Sequence, residues 1–213
     1  AYEDETRYYT FYRLSKQVFE DNKQKRKKIA ADGAWLKYQQ AVNHLHAKNY
    51  LMAYSFFVQT IEGIKEYLQE GVIIDTPQGY SVDLGNGSLT YLDEIISDLR
   101  IKSNISSLTI TGEAPDEALI FTVTDKTGDP VPNMPVKFIY SGGYLLTDTG
   151  KTDENGTIQC PEFKAPAQSS REILSAAIDL QALARMATYD IDIRRMLEKW
   201  NRPSVKVMIE FVR

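Results

Sequence analysis

The sequence predicts an α+β chain, with a long-helix hairpin in its first half and an antiparallel β-sandwich carrying a helical insertion in its second. Three observations predict it. From Lys16 to about Ala47 nothing breaks a helix except Gly33. A second helical pattern follows at once, across a corner only as long as Lys48-Asn49. From Leu108 to Phe211, short alternating apolar runs are separated by Gly, Pro, Asp and Asn turn signals. The 213 residues allow one large or two small units. The division falls at residues 1–103 and 104–213, with residues 100–106 as the connection.

Residues 8–14 are aromatic and β-prone, and read as a strand with no partner close by. Ser15 is placed to cap the helix that follows. That helix takes Val18, Ile29, Leu36, Tyr38, Val42 and Leu45 as its apolar positions, and its polar stretch Glu20–Lys28 projects into solvent or onto a partner. Asn49 caps the second helix, where Tyr50, Ala53, Tyr54, Phe57, Ile61, Ile64 and Leu68 recur at helical spacing up to Gly71. The short corner makes the two helices antiparallel neighbours. Val72–Leu84 reads as a hairpin around Pro77-Gln78-Gly79, and Ser88 as the cap of a third helix to about Leu99.

In the second half, Leu119, Phe121 and Val123 alternate, and the period of two resumes at Val136, Phe138 and Tyr140. Asp125-Lys126-Thr127-Gly128 is turn chemistry, because Asp bonds its own backbone and Gly tolerates positive φ. Pro130, Pro132 and Pro135 cannot donate ladder bonds, which confines them to a connection or an edge. Thr152–Gly156 is a second tight turn. Leu174, Ala176, Ile178 and Leu180 alternate as a strand, and Gln181–Trp200 is helical with Asp190 as a cap. Val205, Val207, Ile209 and Phe211 close the sheet.

Several residue patterns carry resemblances. Asn49-Tyr50 with Ala53 and Phe57 is similar to the second half of a tetratricopeptide repeat. Val123, Asp125, Gly128, Pro130, Val131, Pro132, Pro135, Val136 and Phe138, followed by Thr152–Thr157, resemble bacterial Ig-like domains of surface and envelope proteins. The order of parts resembles the C-terminal region of the Lpp-twenty lipoprotein family of Bacteroidetes-like bacteria. The residues concerned are Tyr8, Tyr9, Arg13, Leu14, Ser15 and Lys16, then Ala47, Tyr50, Ala53 and Phe57. That resemblance implies a bacterial cell-envelope setting, in the periplasm or at the outer membrane. It also implies an N-terminal domain that would supply the partner of strand 8–14, and membrane attachment only through a lipid anchor. The signal peptide and lipidated cysteine of that family are not among these residues.

The chemistry-bearing residues are sparse. A net charge of −4 gives no basic footprint for nucleic acid. The run Lys23–Lys28 points in several directions around a helix and reads as a solvated face. No run approaches ~18 apolar residues. His44 and His46 are the only histidines and face different ways on a helix. Cys160 is the only cysteine and reads as a small strand residue. Asp148, Asp153 and Asn155 read as turn formers rather than calcium ligands. No catalytic set, metal site or cofactor motif is expected. The expected function is a non-enzymatic structural or protein-interaction module with a partner in the cell envelope. The alternative is a glycan-binding accessory module, with Tyr140 and Tyr144 as the candidate binding loop around Ser141-Gly142-Gly143.

Overall fold

Helix α1 spans Lys16–His46, 31 residues and so about 46 Å long. Ser15 caps it, its hydroxyl accepting from the Val18 amide at 3.2 Å. The computed structural model describes residues 2–3, 8–9, 15–111, 118–163, 166 and 168–212. Strand β1, Tyr2–Glu3, pairs antiparallel with β2, Tyr8–Tyr9. The strand expected at 8–14 therefore finds a partner five residues upstream within the chain, and its residues 10–14 lie outside the described residues.

The buried face of α1 differs from the expectation. Val18, Ile29 and Leu36 are exposed, and the core side is Ala31, Ala34, Tyr38 and Ala41. Small residues let α2, Tyr50–Gly63, approach closely: a Cβ on Gly63 would stand 3.7 Å from that of Ala34. Asn49 caps α2 as expected. The helical pattern past Gly63 tightens into a 3-10 segment, Lys65–Glu70, before Gly71 turns the chain at φ +69°. Glu70 takes Lys23 and Lys27 from the polar part of α1 at 2.6 and 3.7 Å.

Strands β3, Ile73–Asp75, and β4, Ser81–Asp83, form the expected hairpin. Helix α3 runs from Leu84 to Asp98, starting five residues earlier than a Ser88 cap implies. Asp83 is the cap, accepting from the amides of Gly85 and Asn86 at 3.0 and 3.1 Å. The glycines therefore sit in a first turn whose amides are satisfied from outside the helix. Ser88 is fully buried inside α3.

The strands of the second half fall into two sheets. One has the order β10-β7-β5, built from Thr157–Gln159, Ile120–Thr124 and Arg100–Ser103. The segment expected as a connection thus contributes a strand, so pairing starts ahead of residue 104. The other sheet has the order β6-β12-β11-β8-β9. Its strands are Ser107–Thr111, Ser204–Val212, Ser170–Ile178, Pro135–Tyr140 and Thr149–Lys151. It is mixed, not antiparallel, because β6 runs parallel to β12. Those two strands are joined through the rest of the sheet, and only such a long connection permits parallel pairing. Strand β9 has no alternating signature and pairs through Gly150 opposite Val136.

Phe121 of β7 meets Phe138 of β8 at 5.4 Å between ring centroids, joining the two sheets in a core continuous with that of the helices. The helical stretch before the last strand is two helices, α4, Leu180–Ala187, and α5, Ile191–Leu197. They part at Thr188, whose hydroxyl donates to Glu62 of α2 at 2.9 Å and accepts from the Asp190 amide at 3.0 Å. Asp190 caps α5 as expected.

Gly156 holds φ +70°, and a Cβ there would stand 2.5 Å from the Val123 carbonyl oxygen and 3.0 Å from the Val131 nitrogen. Gly128 holds φ +93° with open space around it. Gly156→Ala is expected to lose about 2–4 kcal/mol, combining backbone strain with a clash against main chain. Gly128→Ala is expected to lose about 1 kcal/mol. Calorimetric melting of the two variants checks this, and equal losses would show that the close approach at Gly156 does not matter.

Candidate interaction site

The corner between α1 and α2 is built to reach the sheets. Lys48 adopts φ +57°, and its ammonium donates to Asp125 at 3.1 Å and to Thr127 at 2.9 Å, and also pairs with Asp129. Tyr50, the first residue of α2, donates its hydroxyl to the same Asp125 oxygen at 2.7 Å. The other Asp125 oxygen accepts from the Thr127 amide and hydroxyl and from the Asp129 amide, at 2.8, 2.7 and 3.0 Å.

Asp125 is only 2% exposed. Burial opposes its ionisation, but the bonds from Thr127, Tyr50, the Asp129 amide and Lys48 outweigh that and hold its pKa far below the usual carboxylate range. Desolvation and the bond to Asp125 push Tyr50 up to about 12. The bonds to Asp129 and Asp125 raise Lys48. The turn at 125–129 is thus a socket for the helical corner as well as a local turn. Lys126 extends the same seam, meeting Asp98 at the end of α3 at 2.6 Å. Lys65, just past α2, meets Asp190 and Asp192 at 2.7 and 2.9 Å.

Of the two residues expected to form a binding loop, the structure exposes one. Tyr144 is 58% exposed, whereas Tyr140 is 7% exposed and tilts against Phe163 at 5.2 Å. Tyr140 keeps the inward parity of Val136 and Phe138. Burial pushes its phenol up to about 12, and its hydroxyl has no hydrogen-bond partner among the described residues. A Cβ on Gly142 would stand 2.3 Å from the Tyr140 ring, so the Ser-Gly-Gly break serves packing.

Asp153 accepts from the amides of Asn155 and Thr157 at 2.9 and 2.8 Å and from the Thr157 hydroxyl at 2.8 Å, which is turn chemistry. His44 stacks on Phe56 at 5.3 Å. Burial pushes the Cys160 thiol up to about 12, which removes thiolate character near neutral pH. Among the described residues no His, Cys, Asp and Glu cluster could hold a metal ion.

The outer face of the five-stranded sheet presents Ile139, Ile173 and Met208, each about half exposed. Ile173 lies directly opposite Met208, and Ile139 is diagonal to Ile173 through its pairing with Ser175. The Arg171–Glu210 pair, 3.0 Å apart, borders this trio. No sequence pattern singled the trio out, because outward positions of a strand are ordinarily polar and each residue reads singly.

No family model matches the chain, and no curated protein matches it. Among solved structures it is similar in part to the D00–D0 domain of intimin, with 16% identity and a TM-score of 0.32 over 53% of this chain and 46% of that one. For the D0–D1 domain of intimin the values are 22%, 0.32, 54% and 47%. A C-terminal 282-residue fragment of intimin, in complex with the intimin-binding domain of the translocated intimin receptor, gives 24%, 0.31, 53% and 32%. The match spans less than half the length of each of those chains. Likeness at that level assigns no function.

The Asp125 socket makes stability acid-sensitive. Its pKa is depressed on folding from the ordinary carboxylate value of 3.8, so its contribution is complete above that value and erodes as the pH falls below it. Asp125→Asn is expected to flatten the slope of unfolding free energy between about pH 4 and pH 2. At neutral pH it is expected to cost on the order of 2–3 kcal/mol, the usual loss for a hydrogen-bonded buried charge. Urea melts across that pH range check it, and an unchanged acid slope would show that Asp125 is not the sensitive group.

Proposed function

We propose that the protein is a non-enzymatic module that contacts a protein partner at the bacterial cell envelope, built as an Ig-like β-sandwich carrying a tetratricopeptide-like helical hairpin. The observation that carries this reading is the Ile139–Ile173–Met208 face. Three apolar side chains lie side by side across three strands, bordered by a charged pair. An apolar centre with a polar rim is the anatomy of a protein interface, and a contiguous exposed apolar patch marks a contact surface where single exposed residues do not.

A non-enzymatic role is supported by how the reactive residue types are used. Asp125 is a structural anchor, Asp153, Asp179 and Asp190 are turn and helix caps, and the Cys160 thiol is held protonated. The envelope setting is supported by the Val123–Thr157 pattern that resembles bacterial Ig-like domains.

A photo-crosslinking residue in place of Ile173, introduced in the native cells, is expected to give one discrete adduct in the envelope fraction. Met208→Arg is expected to weaken that adduct several-fold while shifting the melting temperature by no more than about 2 °C, as for a surface change. A missing adduct, or one that persists undiminished with Met208→Arg, would argue against the sheet face as the contact.

A further inference from the structure

A cleft of about 580 Å³ opens between α1, the middle of α3 and the β3–β4 hairpin. That volume is in the range of small-ligand sites. Its walls are aromatic. Trp35 and Tyr38 of α1 stack at 5.7 Å with an interplanar angle of 17°. Tyr91 of α3 meets Tyr38 edge-on at 6.1 Å. Tyr80, 56% exposed, stands on the hairpin side.

The hairpin wall is fixed in place. The Tyr80 carbonyl oxygen accepts from the Thr76 amide and hydroxyl at 2.9 and 2.8 Å, and Thr76 is buried. Gly79 closes the turn at φ +85°.

The polar side-chain groups of the cleft are amides, phenols and the Trp35 indole N–H. Gln39, Asn43 and Gln78 line it, and none of its lining residues is Asp, Glu, Lys or Arg. Among the described residues no other protein group takes a hydrogen bond from or gives one to these three amides.

We propose that this cleft is a binding site for a neutral saccharide. A pyranose has C–H faces that stack on aromatic rings and a rim of hydroxyls that both donate and accept. The cleft offers the complement of each: the half-buried Trp35 and exposed Tyr80 rings and three free amides, each carrying donors and an acceptor. The absence of a charged lining residue leaves a uronic or sialic acid without a counter-ion. A polyproline peptide also docks in aromatic grooves. It has carbonyls but no N–H groups, so it would leave the three amide oxygens facing it without donors, which costs free energy wherever they are desolvated. The floor from Trp35 to Asn43 is about 12 Å long at the helical rise, which suits a short oligosaccharide or the end of a longer chain. The site goes beyond the protein contact proposed above and shares no residue with the sheet face.

The test is calorimetric titration of the full chain with cellotetraose, maltotetraose and chitotetraose, with decaproline as the competing chemistry. At least one tetrasaccharide is expected to bind saturably and to perturb tryptophan fluorescence. Tyr80→Ala and Gln39→Ala, both at exposed positions, are each expected to weaken that binding roughly tenfold or more. Tyr144→Ala and Met208→Arg are expected to leave it unchanged. The proposal is overturned if none of the three sugars binds, if binding survives in Tyr80→Ala, if Tyr144→Ala abolishes it, or if decaproline binds instead.

Discussion

The structure depends on satisfying one buried carboxylate. Asp125 lies in the turn after β7, almost out of solvent, and an unpaired charge there would be strongly unfavourable. Its own turn supplies the bonds to one oxygen, while the helical corner supplies Lys48 and Tyr50 to the other. The turn is therefore complete only when the hairpin is docked, and the hairpin is fixed in orientation by the turn. The pairs Lys65–Asp190 and Lys126–Asp98 mark the same seam, but exposed ion pairs of this kind contribute little free energy. Most of the stabilisation comes from the apolar core that runs without interruption from α1 through both sheets.

Features whose cause is local were legible in the sequence. Ser15, Asn49 and Asp190 cap the helices they precede, and the alternation at residues 119–123, 136–140 and 205–211 marks buried strand faces. The turn at Asp153 closes on its own residues. What was not legible is set by partners far away in the chain. Asp125 reads as an ordinary turn residue because Tyr50 and Lys48 lie 75 and 77 positions from it. The break at Thr188 is tied to Glu62, 126 positions away, and an uninterrupted helical pattern does not reveal it.

The candidate residues separate in the same way. Tyr140 shares its parity with Val136 and Phe138, so the strand period that identified β8 already placed that ring inside. Tyr144 is beyond the strand, and only its exposure in the folded chain distinguishes it. The aromatic cleft draws on α1, the β3–β4 turn and α3, and no window of sequence brings Trp35, Tyr80 and Tyr91 together. The apolar spacing of α1 points to Val18, Ile29 and Leu36 as part of its buried face, whereas close packing on α2 selects alanines and leaves those three outside.

The alanine face also explains why the cleft exists. With Ala31, Ala34 and Ala41 against α2, the bulk on that side of α1 is concentrated in Tyr38, which wedges between α2 and α3 against Phe57 and Tyr91. Gly87 makes room for it: a Cβ there would stand 2.9 Å from the Tyr38 hydroxyl oxygen. Trp35 then stacks on Tyr38 and remains half-buried. Trp35 and Tyr91 pack against the same core that buries Tyr38, so that side of the cleft is in position before any ligand arrives. A preformed site loses little conformational entropy on binding, so even modest stacking and amide contacts convert to affinity there.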